Sequence, residues 1–252
     1  MIDRVHLDDY LNELLGISTI KDYCPNGLQV EGRAEIGKIV GGVTASQALI
    51  DRAIEEQADA ILVHHGYFWR GEREPIVGIK RDRIKALLSH DINLFAYHLP
   101  LDIHPEFGNN VQLAELLGFK IKGGLEPDNR QSVGLAGELS VPMSAETVRR
   151  HISEVLGRDA VMIGDADKPL KSIAWCTGAA QSMIDKAVDL GVDAYISGEI
   201  SEPTVHVARE TGVVYFSAGH HATERYGVKA LGEHLASQFD IEFCFIDIDN
   251  PV

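Results

Sequence analysis

The segment IVGGVTASQALIDRAIEEQADAILVHHG, residues 39–66, is matched 134 residues later by IAWCTGAAQSMIDKAVDLGVDAYISGEI, residues 173–200. Ile39, Ala45, Gln47, Ile50, Asp51, Ala53, Asp59 and Ala60 find identical partners at that offset, and the mismatches are mostly Leu/Met, Arg/Lys, Ile/Val and Glu/Asp swaps. A repeat of this kind restricts the fold, because both copies must bury equivalent faces in equivalent elements. Each copy reads strand, helix, strand. GKIVGGVTA is a β-rich run, Leu49, Ile50, Ala53 and Ile54 recur at helical spacing, and DAILVHHG is a second apolar run. RDRIKALLSH reads as a helix, INLFAYHLPLD as a strand, and GNNVQLAELLGF as a helix that Asn110 caps and Gly118 ends. Chance matching of common Ala and Asp supplies part of the identity, but the matched order of elements favours duplication.

The expected fold class is therefore α/β: two interlocked, internally duplicated α/β lobes with mixed sheets and a metal site between them. Gly, Pro, Asp and Asn gather in KIKGGLEPDNRQ, which places the expected boundary between a first lobe at 1–124 and a second at 125–252. At 252 residues the chain is near the upper limit for a single core, which suits two lobes.

Composition excludes several classes. A formal charge of −15 without Lys/Arg clusters argues against nucleic acid, whose affinity comes largely from cations. The N-terminus has no apolar signal core, and no apolar run reaches the roughly 18 residues of a membrane span, so a cytoplasmic location and no membrane contact are expected. Cys24, Cys176 and Cys244 are few, widely spaced and odd in number, which suits a reducing compartment and offers no CxxC knuckle. Any metal here takes nitrogen and oxygen ligands.

His64 and His65 end an apolar strand, where an α/β sheet binds its ligands. Side chains alternate across a strand, so adjacent histidines suit two metals side by side unless the chain is leaving the sheet. His-x-x-x-carboxylate occurs once per half, as His98 with Asp102 and, 122 residues on, as His220 with Glu224. Four-residue spacing puts His220 and Glu224 on one helix face. His64, His65, Asp102, His220 and Glu224 thus form a candidate ligand set for two divalent ions bridged by a carboxylate. The competing reading is a set of hydrogen-bonded histidines beside an anion site. His6, His90, His151 and His234 sit in helical patterns without carboxylate neighbours and are set aside.

GLQVEG, ILVHHGYFW, YHLPLDIHPEFGNN, YISGEISEPTVH and SAGHHATERYGVKALGEHL, in this order, resemble the NGG-interacting-factor-three-like family, also called GTP cyclohydrolase I type 2 homologues. The resemblance runs over residues 24–235, with no inserted domain at the junction. It implies a duplicated α/β fold, a dinuclear metal centre and a toroidal homohexamer. By motif position it carries the family's ligands onto His64, His65, Asp102, His220 and Glu224, with Glu224 bridging, and it leaves out His221.

His98 and His206 are weaker candidates, as partners that support a ligand or as general acid/base, since imidazole titrates near neutral pH. Glu199 stands at the repeat position of His65, and His104 and Glu106 lie in a loop beside Asp102. The chemistry of Asn26, Gly27 and Gln29 in CPNGLQVEG is not evident from the sequence. Two functional classes remain open. One is a hydrolase using Zn, Fe, Mn or another divalent ion against GTP or a related nucleotide. The other is a non-catalytic metal-binding ring that serves as scaffold or adaptor for protein partners. No P-loop and no GxGxxG after a strand are present.

Overall fold

Three helices in this chain begin at a residue whose side chain takes up backbone N–H groups that the helix itself leaves unpaired. The computed structural model describes residues 1–252. Two units emerge, Met1–Phe107 with Gly227–Asp249, and Gly108–Tyr226 with Asn250–Val252.

In chain order the first unit contains β1 (Ile2–Asp3), α1 (Arg4–Leu14), β2 (Gly27–Val30), β3 (Glu35–Ile36), β4 (Lys38–Thr44) and α2 (Gln47–Glu55). There follow β5 (Ala60–His65), α3 (Gly78–Ser89), β6 (Asn93–Ala96) and α4 (Leu99–Ile103). Asp3 caps α1 by accepting from Val5 and His6, and Ser46 caps α2 by accepting from Leu49. The second unit contains α5 (Asn109–Leu117), β7 (Phe119–Gly124), β8 (Leu135–Ser144), α6 (Ala145–Leu156), β9 (Val161–Ile163) and β10 (Pro169–Cys176). It continues with α7 (Ile184–Leu190), β11 (Ala194–Ser197), α8 (Glu202–Thr211), β12 (Val214–Ser217) and α9 (His220–Thr223). The chain then runs through α10 (Arg225–Phe239) to β13 (Glu242–Phe245).

The first unit's five-stranded sheet has the order β13-β4-β5-β6-β2, parallel except for β2. The second unit's six-stranded sheet has the order β7-β8-β10-β11-β12-β9, with β10, β11 and β12 parallel and the others antiparallel. Both sheets are mixed, as expected. Each has a buried cluster on either side: Leu62, Phe95 and Leu231 against Val40, Ile61 and Leu94 in the first, Ile173, Trp175 and Phe216 against Ala174, Tyr195 and Tyr215 in the second. Burial on both faces is why the parallel strands read as unbroken apolar runs.

The duplication extends to register and hydrogen bonds. Ile39 pairs with Ala60 in the first sheet and Ile173 with Ala194 in the second, both at an offset of 134. Asp59 Oδ2 accepts from the backbone N–H groups of Gly37 and Lys38 at 2.8 and 2.9 Å. Asp193 Oδ2 accepts from Lys171 and Ser172, both at 2.9 Å, again 134 residues on. Burial raises the Asp193 carboxyl, but these backbone donors outweigh it and hold the group below its ordinary value.

Two connections depart from the sequence pattern. β7 pairs with β8, so the Gly- and Pro-containing stretch after residue 124 is the turn of an antiparallel hairpin inside the second sheet. β13 lies parallel to β4, with Phe243 opposite Ile39, and so residues 227–249 group with the first unit. The boundaries between the two units therefore fall at 107/108, 226/227 and 249/250 rather than at 124/125. Gly118 ends α5 in the left-handed conformation, as expected, but the N-cap is Gly108. Asn110 lies inside the helix, where its side-chain oxygen accepts from the Thr177 N–H at 3.1 Å.

Candidate metal site

In the first unit the chemistry gathers where β5 and β6 end. His64 is fully buried, its Nδ1 lies 2.9 Å from the Tyr97 carbonyl, and its Nε2 lies 3.5 Å from Asp102 Oδ1. A carbonyl only accepts, so Nδ1 carries a proton, and in the neutral ring Nε2 presents its lone pair. Nε2 then faces the Asp102 carboxylate in a buried place, an arrangement that a proton or a metal ion between them would satisfy. Two ligands at about 2.0–2.1 Å from one tetrahedral ion stand about 3.3 Å apart, so the observed spacing fits a metal.

His65 does not diverge to the opposite face. It is the last residue of β5, still in register with Thr44, and its ring centre lies 4.6 Å from that of His64. Its Nδ1 is 3.2 Å from Thr44 Oγ1. His98 follows β6, and its ring centre lies 5.0 Å from His64 and 5.8 Å from His65. One nitrogen from each of His64, His65 and His98 falls within 4.8 Å of the others, a grouping able to hold a metal ion.

The CPNGLQ stretch, opaque in the sequence, buttresses these loops. Asp22 Oδ1 accepts from His98 Nδ1 at 2.7 Å and from Tyr23 N at 2.6 Å; Oδ2 accepts from Asn26 Nδ2 and Leu99 N, both at 2.9 Å. Burial pushes the Asp22 carboxyl up, but hydrogen bonds from His98 and Asn26 and the charge of His98 bring it down to about 2. Asn26 Oδ1 accepts the His98 backbone N–H at 2.7 Å. Gln29 accepts from Tyr67 N at 2.7 Å and donates to Pro25 O at 2.8 Å, tying down the chain just past the HHG motif. Gly66 is required there because a Cβ would overlap Gln29 Oε1 and stand 2.5 Å from Ala96 Cβ.

In the second unit, α9 begins at His220, and the i, i+4 spacing brings His220 Nε2 to 3.1 Å from Glu224 Oε2. His220 Nδ1 lies 2.7 Å from Glu199 Oε1, the carboxylate at the repeat position of His65. Burial lowers the His220 pKa, but hydrogen bonds and charge from Glu224 and Glu199 outweigh it and raise it to about 9. Without a metal, a proton occupies the position between His220 and Glu224. Glu224 is buried against Gly178, whose φ is +69°; a Cβ there would overlap Glu224 Oε1 and stand 3.2 Å from His220 Nε2. Thr223 Oγ1 accepts the Gly178 N–H at 3.1 Å and so fixes this loop beside Glu224.

Other candidates have different surroundings. His206 stands on an exposed face of α8, 2.8 Å from Glu202, and belongs to none of the metal-competent groupings. His104 Nδ1 accepts from the backbone of Glu106 and Phe107, and its ring stacks on Phe107, so it closes its own loop. Asp22 was missed in the sequence, where no periodicity connects it to a histidine 76 residues away.

Imidazole and carboxylate donors at the ends of parallel strands define an α/β protein with groupings able to hold a metal ion. The chain belongs to the DUF34/NIF3 family: the model of Duf34/NIF3 (NGG1p interacting factor 3) matches residues 2–251. It is 58% identical over 237 residues, 94% of each chain, to a Pseudomonas aeruginosa protein named GTP cyclohydrolase 1 type 2 homolog. An Escherichia coli K12 protein of the same name is 52% identical, covering 98% of this chain and 99% of its own. The solved structure of protein ybgI, described as of unknown function, superposes with a TM-score of 0.96 at 50% identity, covering all of both chains. No helix is long and apolar enough to cross a membrane.

Proposed function

We propose that the protein is a hydrolase dependent on two divalent ions, with His64, His65, Asp102, His220 and Glu224 as ligands, acting on GTP or a related nucleotide. The observation that carries this is the buried His64–Asp102 pair, whose Nε2 and Oδ1 stand 3.5 Å apart, a spacing that two ligands of one metal ion have. When bound, divalent ions supply Lewis acidity, lowering the pKa of water and stabilising developing negative charge.

The chain's own part is positioning. The Tyr97 carbonyl holds the His64 tautomer, Thr44 orients His65, and Glu199 holds Nδ1 of His220 so that Nε2 points to Glu224. Such partners typically make ligands more basic and fix their direction. Burial of Asp102 and Glu224 supports a cation there, since an ionised carboxylate away from water is costly without one. The purine-nucleotide substrate rests on the names borne by the relatives. A homohexameric ring in the cytoplasm rests on the motif resemblance.

The test is metal content by plasma mass spectrometry on untagged protein beside Glu224→Ala, followed by incubation of the loaded protein with GTP and analysis for formate. Two ions per chain that the variant lacks, with formate released, are expected. Metal-free wild type would refute the centre, and loaded protein inert towards GTP and other nucleotides would make it a metal-holding scaffold.

A further inference from the structure

Two aromatic rings border His98 in the first unit. Trp69 has its ring centre 4.8 Å from that of His98, at an interplanar angle of 76°, and 5.9 Å from that of His65; Tyr23 stands 6.1 Å from His98. Neither ring is closed into the core. Tyr23 keeps 57% of its surface exposed and Trp69 is half-buried, whereas the chain's other tryptophan, Trp175, is fully buried in the six-stranded sheet.

The backbone that carries these rings is held in place. Phe68 has φ of +65°, a conformation that a bulky residue rarely adopts and that persists only where its surroundings enforce it. Bonds on both sides of it do so: Tyr67 N donates to Gln29 Oε1 at 2.7 Å, Trp69 N donates to Glu72 Oε2 at 3.0 Å, and the indole Nε1 donates to the Gly66 carbonyl at 3.1 Å. Tyr23 is tied through its N–H to Asp22 Oδ1 at 2.6 Å, and its carbonyl accepts from Arg70 N at 2.7 Å. That last bond joins the two ring-bearing segments to each other. Fixing an aromatic ring without burying it adds little to the core, but it presents a preformed apolar face at low entropic cost to a ligand.

The ligand class that such faces take is a flat heteroaromatic base, whose stacking on aromatic side chains needs no particular pattern of hydrogen bonds. We propose that Trp69 and Tyr23 form a stacking rim that seats the purine ring of a nucleotide beside the metal centre. This rests on the nucleotide-hydrolase reading and deepens it by assigning the residues that hold the base. A base stacked on Trp69 lies next to His65, one of the ligands in that reading. Because stacking strength rather than hydrogen bonding sets the preference, a purine binds more tightly than a pyrimidine, and a sugar phosphate without a base gains nothing from the rim.

The experiment titrates the full chain as purified with GMP, CMP and ribose 5-phosphate, following tryptophan fluorescence and the heat of binding. Wild type, Trp69→Leu, Tyr23→Ala and Tyr23→Phe are compared, with metal per chain measured in each. GMP is expected to change the wild-type fluorescence, CMP to bind more weakly, and ribose 5-phosphate to leave the signal unmoved. Loss of either ring should weaken GMP binding about 5–150-fold, the range found for one stacked base, and Tyr23→Phe should keep wild-type affinity because it keeps the ring. Residual binding to Trp69→Leu should give no fluorescence response, since Trp175 is buried. GMP affinity unaltered in both Tyr23→Ala and Trp69→Leu overturns the rim while leaving the hydrolase standing. GMP held through both rings, with GTP left intact by the loaded protein, supports the rim and overturns the hydrolase. Absence of GMP binding to wild type overturns the rim. If Trp69→Leu does not fold, as judged by circular dichroism, or loses metal, the tyrosine variants decide: equal affinity in Tyr23→Ala and Tyr23→Phe refutes the inference.

Discussion

Gly178→Ala tests whether Glu224 is held by the backbone that faces it. Gly178 has φ of +69°, and Gly191, which ends α7, has φ of +73° with nothing within 4 Å of where a methyl group would stand. Both substitutions carry the left-handed cost of an L residue, about 1–2 kcal/mol. Gly191→Ala carries only that. At position 178 the new Cβ also overlaps Glu224 Oε1 and reaches 3.0 Å from its Cδ, so the buried carboxylate must retreat and loosen its 3.1 Å contact with His220. A hydrogen bond to a charged group is worth about 1.5–3 kcal/mol, which brings the expected loss for Gly178→Ala to about 3–5 kcal/mol. Urea unfolding of the metal-free protein, compared at constant m-value, measures the difference between the two variants. Titration of His220 by NMR in Gly178→Ala should show its pKa fall from about 9, since Glu224 is among the groups that raise it. Equal destabilisation by the two substitutions, with His220 unmoved, would refute the claim that Gly178 seats Glu224.

Three further outcomes follow from the same geometry. His220 has its pKa raised from 6.5 to about 9, so it contributes stability that is complete below pH 6.5 and is lost as pH rises to about 9; melting temperatures of metal-free wild type should fall across that window, and His220→Gln should flatten the fall. Asp22 is depressed from 3.8 to about 2, so its contribution is present above pH 3.8 and lost as pH drops through 2; Asp22→Asn should remove that part of the acid limb, and an unchanged acid limb would contradict it. Gly66→Ala forces a Cβ against Gln29 and against Ala96 of β6, where overpacking costs about 1–3 kcal/mol; adding Gln29→Ala should recover only the part due to Gln29, which a double-mutant cycle by urea unfolding would measure.

The sequence alone determined the layered α/β class, the duplication and the residue types of the metal-competent groupings. Those properties are local: unbroken apolar runs require buried parallel strands, a 134-residue offset carries Asp59 onto Asp193 in the same backbone-binding role, and four-residue spacing places His220 beside Glu224. Tertiary structure decided the rest. Period-two alternation sends His64 and His65 apart, but at the end of β5 the two ring centres lie 4.6 Å apart, a convergence that no pattern in DAILVHHG encodes. The Gly- and Pro-rich stretch after residue 124 marks a turn either way; only the pairing of β7 with β8 made it a hairpin, and only the pairing of β13 with β4 brought the C-terminal strand to the first sheet. The service of Asp22, Asn26 and Gln29 to His98 and Tyr67 was invisible for the same reason, since hydrogen bonds between residues 38 to 76 positions apart form only after the sheet has brought their loops together.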